Sequence, residues 1–261
     1  MSPSQTPESP VVSVKDVTVT FTRGMGRSRT TVTAMRKVSF DIFAGQTLGL
    51  VGESGSGKST TGAVVLGLRA PDSGTSEFEG RPLTTRLRDR AGRVGAVLQH
   101  PAWSLDPRRR VIDSVVEPLT VVDRRGGAAA HRARALAMLD DVGLGEMFAD
   151  RRPHELSGGQ RQRVSVARAL ITNPRFIVFD EAVSALDVSV QAQILNLIVD
   201  LQREHGFAAL FISHDLGAVR YASHAVGVMQ AGSLVELAET KTFYATPTHP
   251  YSRQLLQELS E

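Results

Sequence analysis

The chain contains the sequence Gly52-Glu53-Ser54-Gly55-Ser56-Gly57-Lys58-Ser59, which matches the pattern G-x-x-x-x-G-K-[ST] at every fixed position. The residues before it, Thr47–Val51, form a short apolar run that predicts a buried parallel strand, and residues 59–68 predict the helix that follows. We therefore predict an α/β fold in which a glycine-rich loop joins a strand to the N-terminus of a helix.

A loop at this position can hold phosphate. The first backbone N–H groups of a helix have no intrahelical partner, and the helix dipole favours negative charge there. Lys58 would neutralise β- and γ-phosphate oxygens, and Ser59 would offer its hydroxyl to Mg²⁺, which otherwise keeps water, phosphate or carboxylate ligands. The loop by itself leaves many classes of nucleoside triphosphatase open.

Composition narrows the class of protein. With 261 residues and 41% apolar content, the chain can bury a full core, either as one domain with sub-lobes or as two small domains. Apolar runs stay shorter than the roughly 18 residues that span a bilayer, and the polar start predicts neither secretion nor membrane insertion. The absence of cysteine excludes disulfides, thiolate metal sites and cysteine nucleophiles, as in a reducing cytosol. A net charge of +3 demands no nucleic-acid partner.

The pattern along the chain predicts several elements. Residues 1–10, rich in proline and serine, predict a disordered lead, and alternating strands at 12–20 and 38–43 predict a largely antiparallel opening. Helical patterns dominate from 111 to about 148, most clearly at 128–139. Apolar strands at 176–179 and 209–212, separated by a helix at 190–203, predict parallel β-α-β pairing. A hairpin at 226–238 turning at 230–232 and a helix at 251–259 complete the prediction.

Two carboxylates follow the apolar strand at 176–179. Asp180 and Glu181 would lie at its C-terminal edge, where open α/β sheets bind their ligands. Asp180 would hold Mg²⁺ through its water shell, and Glu181 could polarise an attacking water.

A second anion site is predicted at Leu156-Ser157-Gly158-Gly159-Gln160. Ser157 is a good N-cap, and the paired glycines expose backbone N–H groups at a helix start. In this pentapeptide the chain resembles the ATP-binding-cassette (ABC) family, in which the same five residues are the signature sequence. In that family two cassettes pair head to tail, and each signature closes on the γ-phosphate of the ATP bound by its partner.

The resemblance implies roles for further residues. Gln99 would report metal and γ-phosphate occupancy to a transmembrane partner, and His214 would be the switch histidine near the γ-phosphate. Phe21, where tyrosine is commoner, would stack on adenine, with a plain core role as the alternative. The loop that couples the two sites would be Ser184-Ala185-Leu186-Asp187. The ATP-binding set is Phe21, Gly52, Glu53, Ser54, Gly55, Ser56, Gly57, Lys58, Ser59, Thr60, Gln99 and Asp180; its Mg²⁺ ligands are Ser59, Gln99 and Asp180.

Other segments resemble the peptide and nickel import branch of this family. They are Gln99-His100-Pro101, residues 104–108, residues 184–193 and the tail Pro247-Thr248-His249-Pro250-Tyr251, with Leu255 and Leu256. The His-Pro-Tyr tail is the most specific, although it could be a mere turn before a helix. Longer members carry a cysteine-bearing extension, and because this sequence has no cysteine, no cluster carries over.

Taken together, the resemblance implies a P-loop NTPase (RecA-like) α/β core with an N-terminal antiparallel β subdomain and an inserted helical subdomain. The ATP-binding domain would cover 11–243, with the helical subdomain at about 100–172 and the tail at 244–261. Its activity would be ATP hydrolysis with Mg²⁺, catalysed by Glu181, His214 and Gln99, energising uptake of peptides or a related small solute.

The implied partners are a second cassette, identical or paralogous, two transmembrane permease subunits and, indirectly, a solute-binding protein, at the cytoplasmic face of the cell membrane. Trp103 and Leu105 would seat a permease helix, with Arg108 to Arg110 as an electrostatic rim, and the alternative is that Trp103 is an ordinary core residue. Two rival hypotheses are a soluble cassette ATPase acting on nucleic acid or ribosomes and a nucleotide-binding regulator. Against the first, the interval between Gln99 and Leu156 is too short for the long coiled coil of repair-type cassettes.

Overall fold

The computed structural model describes residues 9–23, 30–98, 105–184 and 186–257, with the side chains of Arg23 and Leu87 outside the description. The strands are β1 (Val12–Arg23), β2 (Thr30–Ile42), β3 (Thr47–Val51), β4 (Ser73–Phe78), β5 (Arg81–Pro82), β6 (Val94–Val97), β7 (Phe176–Asp180), β8 (Ala208–Ile212), β9 (Ala225–Gln230) and β10 (Ser233–Glu239). The helices are α1 (Lys58–Val65), α2 (Leu87–Arg90), α3 (Val111–Val122), α4 (Ala128–Asp141), α5 (Gly158–Leu170), α6 (Val188–His205), α7 (Leu216–Ala222), α8 (Thr240–Ala245) and α9 (Pro250–Gln257), with 3₁₀ turns at Glu146–Phe148 and Pro153–Glu155.

These strands form two sheets. The antiparallel sheet has the order β2-β1-β4-β5, and the second has the order β10-β9-β3-β8-β7-β6. In the second sheet β9, β3, β8, β7 and β6 pair in parallel, and only β10 runs antiparallel. Every residue of β3 and β8 is buried, which explains why these strands are continuous apolar runs rather than alternating ones.

The second sheet separates two cores, because successive side chains of a strand point to opposite faces. On β7, Phe176 and Val178 pack with α1 and the antiparallel sheet. The alternate residues Ile177 and Phe179 pack with the helical side of the molecule, which includes α3, α4, α5 and α6. The C-terminal edge of this sheet therefore lies between two packed layers.

Most predicted elements are present, and the predicted fold class is confirmed. The hairpin of β9 and β10 turns at Ala231 (φ 46°) and Gly232 (φ 84°), the two left-handed residues that a two-residue type I′ turn requires. Helices α3 and α4 lie within the stretch from 111 to about 148 where helical patterns were predicted, and α5 lies within the predicted helical subdomain at about 100–172. The domain boundaries stay a prediction. Residues 1–8 of the predicted lead lie outside the described residues. Within the described ranges, no helix has both the length and the apolarity to cross a membrane.

Candidate functional site

The glycine-rich loop, residues 52–59, leaves β3 after Val51 and enters α1 at Lys58. Gly52 has φ 141°, and a Cβ there would lie 2.1 Å from the backbone oxygen of Met229. Gly57 has φ 109°, and its Cβ would lie 2.2 Å from the backbone oxygen of Ala34. Both positions therefore require glycine, because the backbone of neighbouring strands approaches the loop too closely for any side chain.

The turn of the β9–β10 hairpin holds this loop from the side. The N–H of Gly232 donates to the carbonyl oxygen of Ser56 at 3.0 Å, and the carbonyl of Gly232 accepts from the N–H of Arg36 in β2 at 2.7 Å. Glu53, Ser54 and Gly55 remain exposed at the tip of the loop. The loop is thus tied to both sheets while its tip faces outward.

Lys58 lies folded into the loop. Its Nζ donates to the carbonyl oxygens of Gly52 at 2.6 Å and Glu53 at 2.8 Å. Burial lowers the pKa of Lys58, while the carboxylates of Glu181 and Asp180 act in the opposite direction. A phosphate beside the ammonium would favour its charged form in the same way as these carboxylates.

Asp180 ends β7, and its side chain fits a metal ligand. Burial and the charge of Glu181 raise the pKa of Asp180, and the Ser59 hydroxyl and the Lys58 ammonium offset part of that rise. Among the described residues, the buried Oδ1 of Asp180 has no hydrogen-bond partner. A buried carboxylate oxygen without a donor is costly unless a cation binds it, so Asp180 and Ser59 fit Mg²⁺. Gln99, the third predicted ligand, lies outside the described residues.

Glu181 and His214 meet at the same edge. Glu181 has φ 51°, a strained conformation for a non-glycine residue, and its N–H donates to the carbonyl of Ile212 at 2.9 Å. Its side chain is largely buried, and its Oε2 lies 2.9 Å from Nδ1 of the exposed His214. Ser213, which follows β8, donates its N–H to Leu50 of β3 at 3.3 Å. The structure therefore brings together the ends of β3, β7 and β8, with Lys58, Asp180, Glu181 and His214.

The predicted coupling loop links Glu181 to the signature segment. Both the N–H and the Oγ of Ser184 donate to the carbonyl of Glu181, at 3.3 and 3.0 Å. Leu186 lies beside the signature, since a Cβ on Gly158 would be 3.5 Å from its Cδ2. Asp187 occupies the N-cap position of α6, and Ala185 lies outside the described residues.

The signature segment caps α5. Ser157 Oγ accepts from the N–H of Gln160 at 3.2 Å, and Gln160 Oε1 accepts from the N–H of Ser157 at 2.9 Å, which is a capping box. Leu156 is buried, and a Cβ on Gly159 would lie 2.5 Å from Cγ1 of Val190. Helix α5 packs on α3, α4, α6 and β6. The C-terminal end of α5 meets β6, since a Cβ on Gly95 would lie 2.9 Å from the carbonyl oxygen of Ala169, whereas the signature lies at the opposite end of the helix, at the start of α6.

Phe21 lies on β1 and is 43% exposed, so the alternative of a plain core role is wrong. The guanidinium of Arg69 lies over its ring, with Cζ 5.2 Å from the centroid, and Arg69 is held in turn by Asp72. Arg69 thus covers one face of the ring. Thr60 lies half-buried in the first turn of α1.

Sequence reasoning missed one contact at this site. The N–H of Glu53 donates to the hydroxyl oxygen of Tyr251 at 3.0 Å. The sequence singled out Tyr251 as part of the His-Pro-Tyr tail, but no local pattern connects residues 198 positions apart.

The run of arginines at 108–110 is largely neutralised within the chain. Arg109 pairs with Glu117 at 2.6 Å, and Arg110 pairs with Asp113 at 2.9 Å and Asp150 at 3.0 Å. These pairs offset part of the positive charge of the run.

Known ATP-binding proteins are similar to this chain in sequence. The chain is 46% identical over 254 residues to the glutathione import ATP-binding proteins GsiA of Escherichia coli K12 and Shigella dysenteriae serotype 1, which covers 95% of this chain and 41% of those proteins. It therefore spans about two fifths of the length of these curated relatives.

Two solved structures are also similar. A dimeric post-hydrolysis state of the ATP-binding cassette MJ0796, bound to ADP and Pi, matches with a TM-score of 0.77 and 30% identity over 88% of this chain and 98% of that one. The cbiO1 protein of Clostridium perfringens, part of the ABC transporter complex cbiONQ, matches with a TM-score of 0.80 and 25% identity over 92% of each chain. A family model described as ABC transporter matches residues 35–184. The chain belongs to the ABC transporter family.

Proposed function

We propose that this chain is the ATP-hydrolysing cassette of an importer that takes up peptides or a related small solute. The observation that carries the proposal is the pair of Glu181 and His214, 2.9 Å apart, at the strand edge that also holds Lys58 and Asp180. This set supplies a base, a group for the γ-phosphate, a phosphate-neutralising cation and a metal ligand in one place. A nucleotide-binding regulator without hydrolysis needs neither Glu181 nor His214.

In the proposed mechanism the loop N–H groups and Lys58 bind the β- and γ-phosphates. Ser59 and Asp180, with Gln99, would hold Mg²⁺, which would neutralise phosphate charge when bound. The left-handed turn at Glu181 aims its carboxylate toward His214, so that the carboxylate can polarise a water while the imidazole holds the γ-phosphate. Phe21 would stack on adenine with its face opposite Arg69.

The active form is proposed to be a head-to-tail dimer with an identical or paralogous cassette. The signature, Leu156 to Gln160, would offer the backbone N–H groups at the start of α5 to the γ-phosphate bound by the partner, and the signature of the partner would do the same at the phosphate loop of this chain. The similar MJ0796 structures are dimers, which supports this arrangement. Two ATP molecules would lie at the interface, and Ser184 to Asp187 would link the two sites.

Two permease subunits are the proposed membrane partners, with a solute-binding protein acting through them, and the chain would lie peripherally at the cytoplasmic face. An apolar groove of about 420 Å³, here called the β6 groove, runs between β6, the last part of α3 and α5. Leu68, Leu98 and Val121 are exposed in it, and the chain leaves β6 toward Gln99. A short amphipathic permease helix fits this surface.

One predicted seat for that helix was wrong. Leu105 is only 2% exposed and packs in the core of the helical side, so it is unavailable to a partner. Trp103 lies outside the described residues.

The importer class rests on the likeness to glutathione import proteins, since glutathione is itself a small peptide. Size exclusion with light scattering tests the dimer that the mechanism requires. Glu181→Gln, together with the second cassette if that is a paralogue, should form a dimer only with Mg²⁺ and ATP, because binding is kept and turnover is lost. Persistence of monomers at saturating ATP would contradict the shared site, and Lys58→Ala in the same chain should prevent the dimer by removing ATP.

A further inference from the structure

The C-terminal tail reaches the tip of the phosphate loop. The hydroxyl of Tyr251, the first residue after Pro250 in α9, accepts the N–H of Glu53 at 3.0 Å. The ring is 6% exposed and belongs to the core of the helical side. We propose that Tyr251 is a positioning residue for nucleotide binding, which sets the conformation of the loop around Lys58. The inference rests on the function proposed above, since it concerns ATP bound at this loop.

The contact acts on the residue that also holds the lysine. The carbonyl of Glu53 accepts from Lys58 Nζ at 2.8 Å, while the N–H of Glu53 donates to Tyr251. Fixing both groups of Glu53 fixes the turn between β3 and the exposed tip of the loop. The loop is then held at Ser56 by the Gly232 turn and at Glu53 by the tail.

A buried carboxylate anchors the tail to the sheet. Glu236 of β10 accepts three hydrogen bonds, from the N–H of Thr248 at 2.8 Å, its Oγ1 at 2.9 Å and the N–H of His249 at 3.0 Å. Burial alone would raise the pKa of Glu236, but the hydrogen bonds that the tail donates hold this pKa below its ordinary value. The tail therefore docks on a charged acceptor that belongs to the same hairpin as Gly232.

The turn before α9 fixes the direction of Tyr251. His249 Nδ1 accepts from the N–H of Tyr251 at 3.2 Å, and Pro250 opens the helix, where a missing N–H costs nothing. Arg253 donates to the carbonyls of Pro247 at 3.1 Å and Thr248 at 2.9 Å. The His-Pro-Tyr sequence thus forms a structural unit that positions the hydroxyl of Tyr251.

The expected effect follows from the strength of one hydrogen bond. Removing such a bond while keeping the ring changes an equilibrium by roughly two- to tenfold. The loss should appear in ATP affinity because an unrestrained loop must be ordered when phosphate binds. It should be similar in the ground and transition states, so KM should rise by that factor while kcat stays close to the wild-type value.

The test compares Tyr251→Phe with a matched control, Tyr244→Phe. Tyr244 lies in α8, is partly buried, and its hydroxyl donates to the carbonyl of Leu216, away from the loop. We expect Tyr251→Phe to raise the dissociation constant for Mg-ATP and KM by about two- to tenfold, and Tyr244→Phe to leave both within twofold. The ¹⁵N-resolved amide proton of Glu53 should shift in Tyr251→Phe only. Glu236→Gln, which weakens the docking of the tail but keeps tyrosine at position 251, should also raise the dissociation constant for Mg-ATP.

Three outcomes decide the proposal. If Lys58→Ala loses ATP and Tyr251→Phe binds ATP as wild type does, the tail has no positioning role and the proposed function stands. If Tyr251→Phe only lowers the melting temperature, with the ATP-induced rise in that temperature unchanged, the role is merely structural and the proposal is overturned. If Lys58→Ala binds ATP normally, the loop is not the nucleotide site and both proposals fail.

Discussion

The serine of the signature has two separable roles, and substitution at Ser157 should separate them. Its Oγ and the Gln160 side chain satisfy two backbone N–H groups at the start of α5. Loss of an N-cap costs about 1 kcal/mol, and at this exposed position water replaces part of the bond, so we expect roughly 0.5–1 kcal/mol for Ser157→Ala. In a protein of this size that corresponds to a fall of roughly 1–4 °C in Tm.

Ser157→Asp should behave in the opposite way. Aspartate is as good an N-cap as serine and interacts favourably with the helix dipole, so Tm should equal or exceed the wild-type value. Its charge, however, would face the γ-phosphate held by the partner cassette, and ATP hydrolysis should be lost. Differential scanning fluorimetry and phosphate release on the same preparations measure the two effects.

Mixed dimers show at which subunit's phosphate loop a substitution in the signature stops hydrolysis. A Lys58→Ala chain and a Ser157→Asp chain should each be inactive, and their mixture should recover activity, because one intact loop then faces one intact signature. For a paralogous pair, the Ser157→Asp defect should appear at the phosphate loop of the partner. The reasoning is refuted if Ser157→Asp hydrolyses ATP normally, or if its defect is confined to the loop of its own chain.

Three further predictions concern charge and surface. Because the pKa of Asp180 is raised in the folded state, its ionised carboxylate destabilises that state above this pKa, so Asp180→Asn should raise Tm in EDTA and abolish Mg²⁺-dependent turnover. A Tm below those of the wild type and of the exposed control Asp200→Asn would contradict this. The pKa of Glu236 is lower in the folded state than its ordinary value of 4.5, so its carboxylate stabilises the protein above pH 4.5, and this stabilisation is lost as the pH falls through the folded-state pKa. The Tm difference between wild type and Glu236→Gln should therefore be constant above pH 4.5 and shrink below it. Val121→Lys in the β6 groove, at a side chain that is 50% exposed, should leave Tm and ATP binding intact and weaken co-purification with the permease subunits; unchanged co-purification would remove the groove as their seat.

Elements with a strong hydrophobic pattern were predictable from the sequence. The buried strands β3, β7 and β8 are continuous apolar runs because both of their faces are covered, and the hairpin turn is marked by Gly232. Pattern and spacing therefore located Asp180, Glu181 and His214 at strand ends, which the topology then brings together.

Other features depend on tertiary contacts that no local pattern records. Strand β4 was missed because Phe78 is its only apolar side chain, so its sequence shows no alternation of apolar and polar residues. Leu105 looked like a surface seat but is drawn into the core by the apolar faces of the helices around it. The bond of Glu53 to Tyr251 joins distant parts of the chain through the docking of the tail on Glu236, and only the folded structure reveals it.

The most direct test of the account is phosphate release by Glu181→Gln, measured beside its affinity for Mg-ATP and with the partner cassette present. The amide can still hydrogen-bond but cannot act as an anionic base, so we expect ATP affinity within about twofold of wild type and turnover reduced by roughly 100-fold or more. Hydrolysis at the wild-type rate would show that Glu181 does not polarise the attacking water, and it would contradict the assignment of this strand edge as the catalytic site.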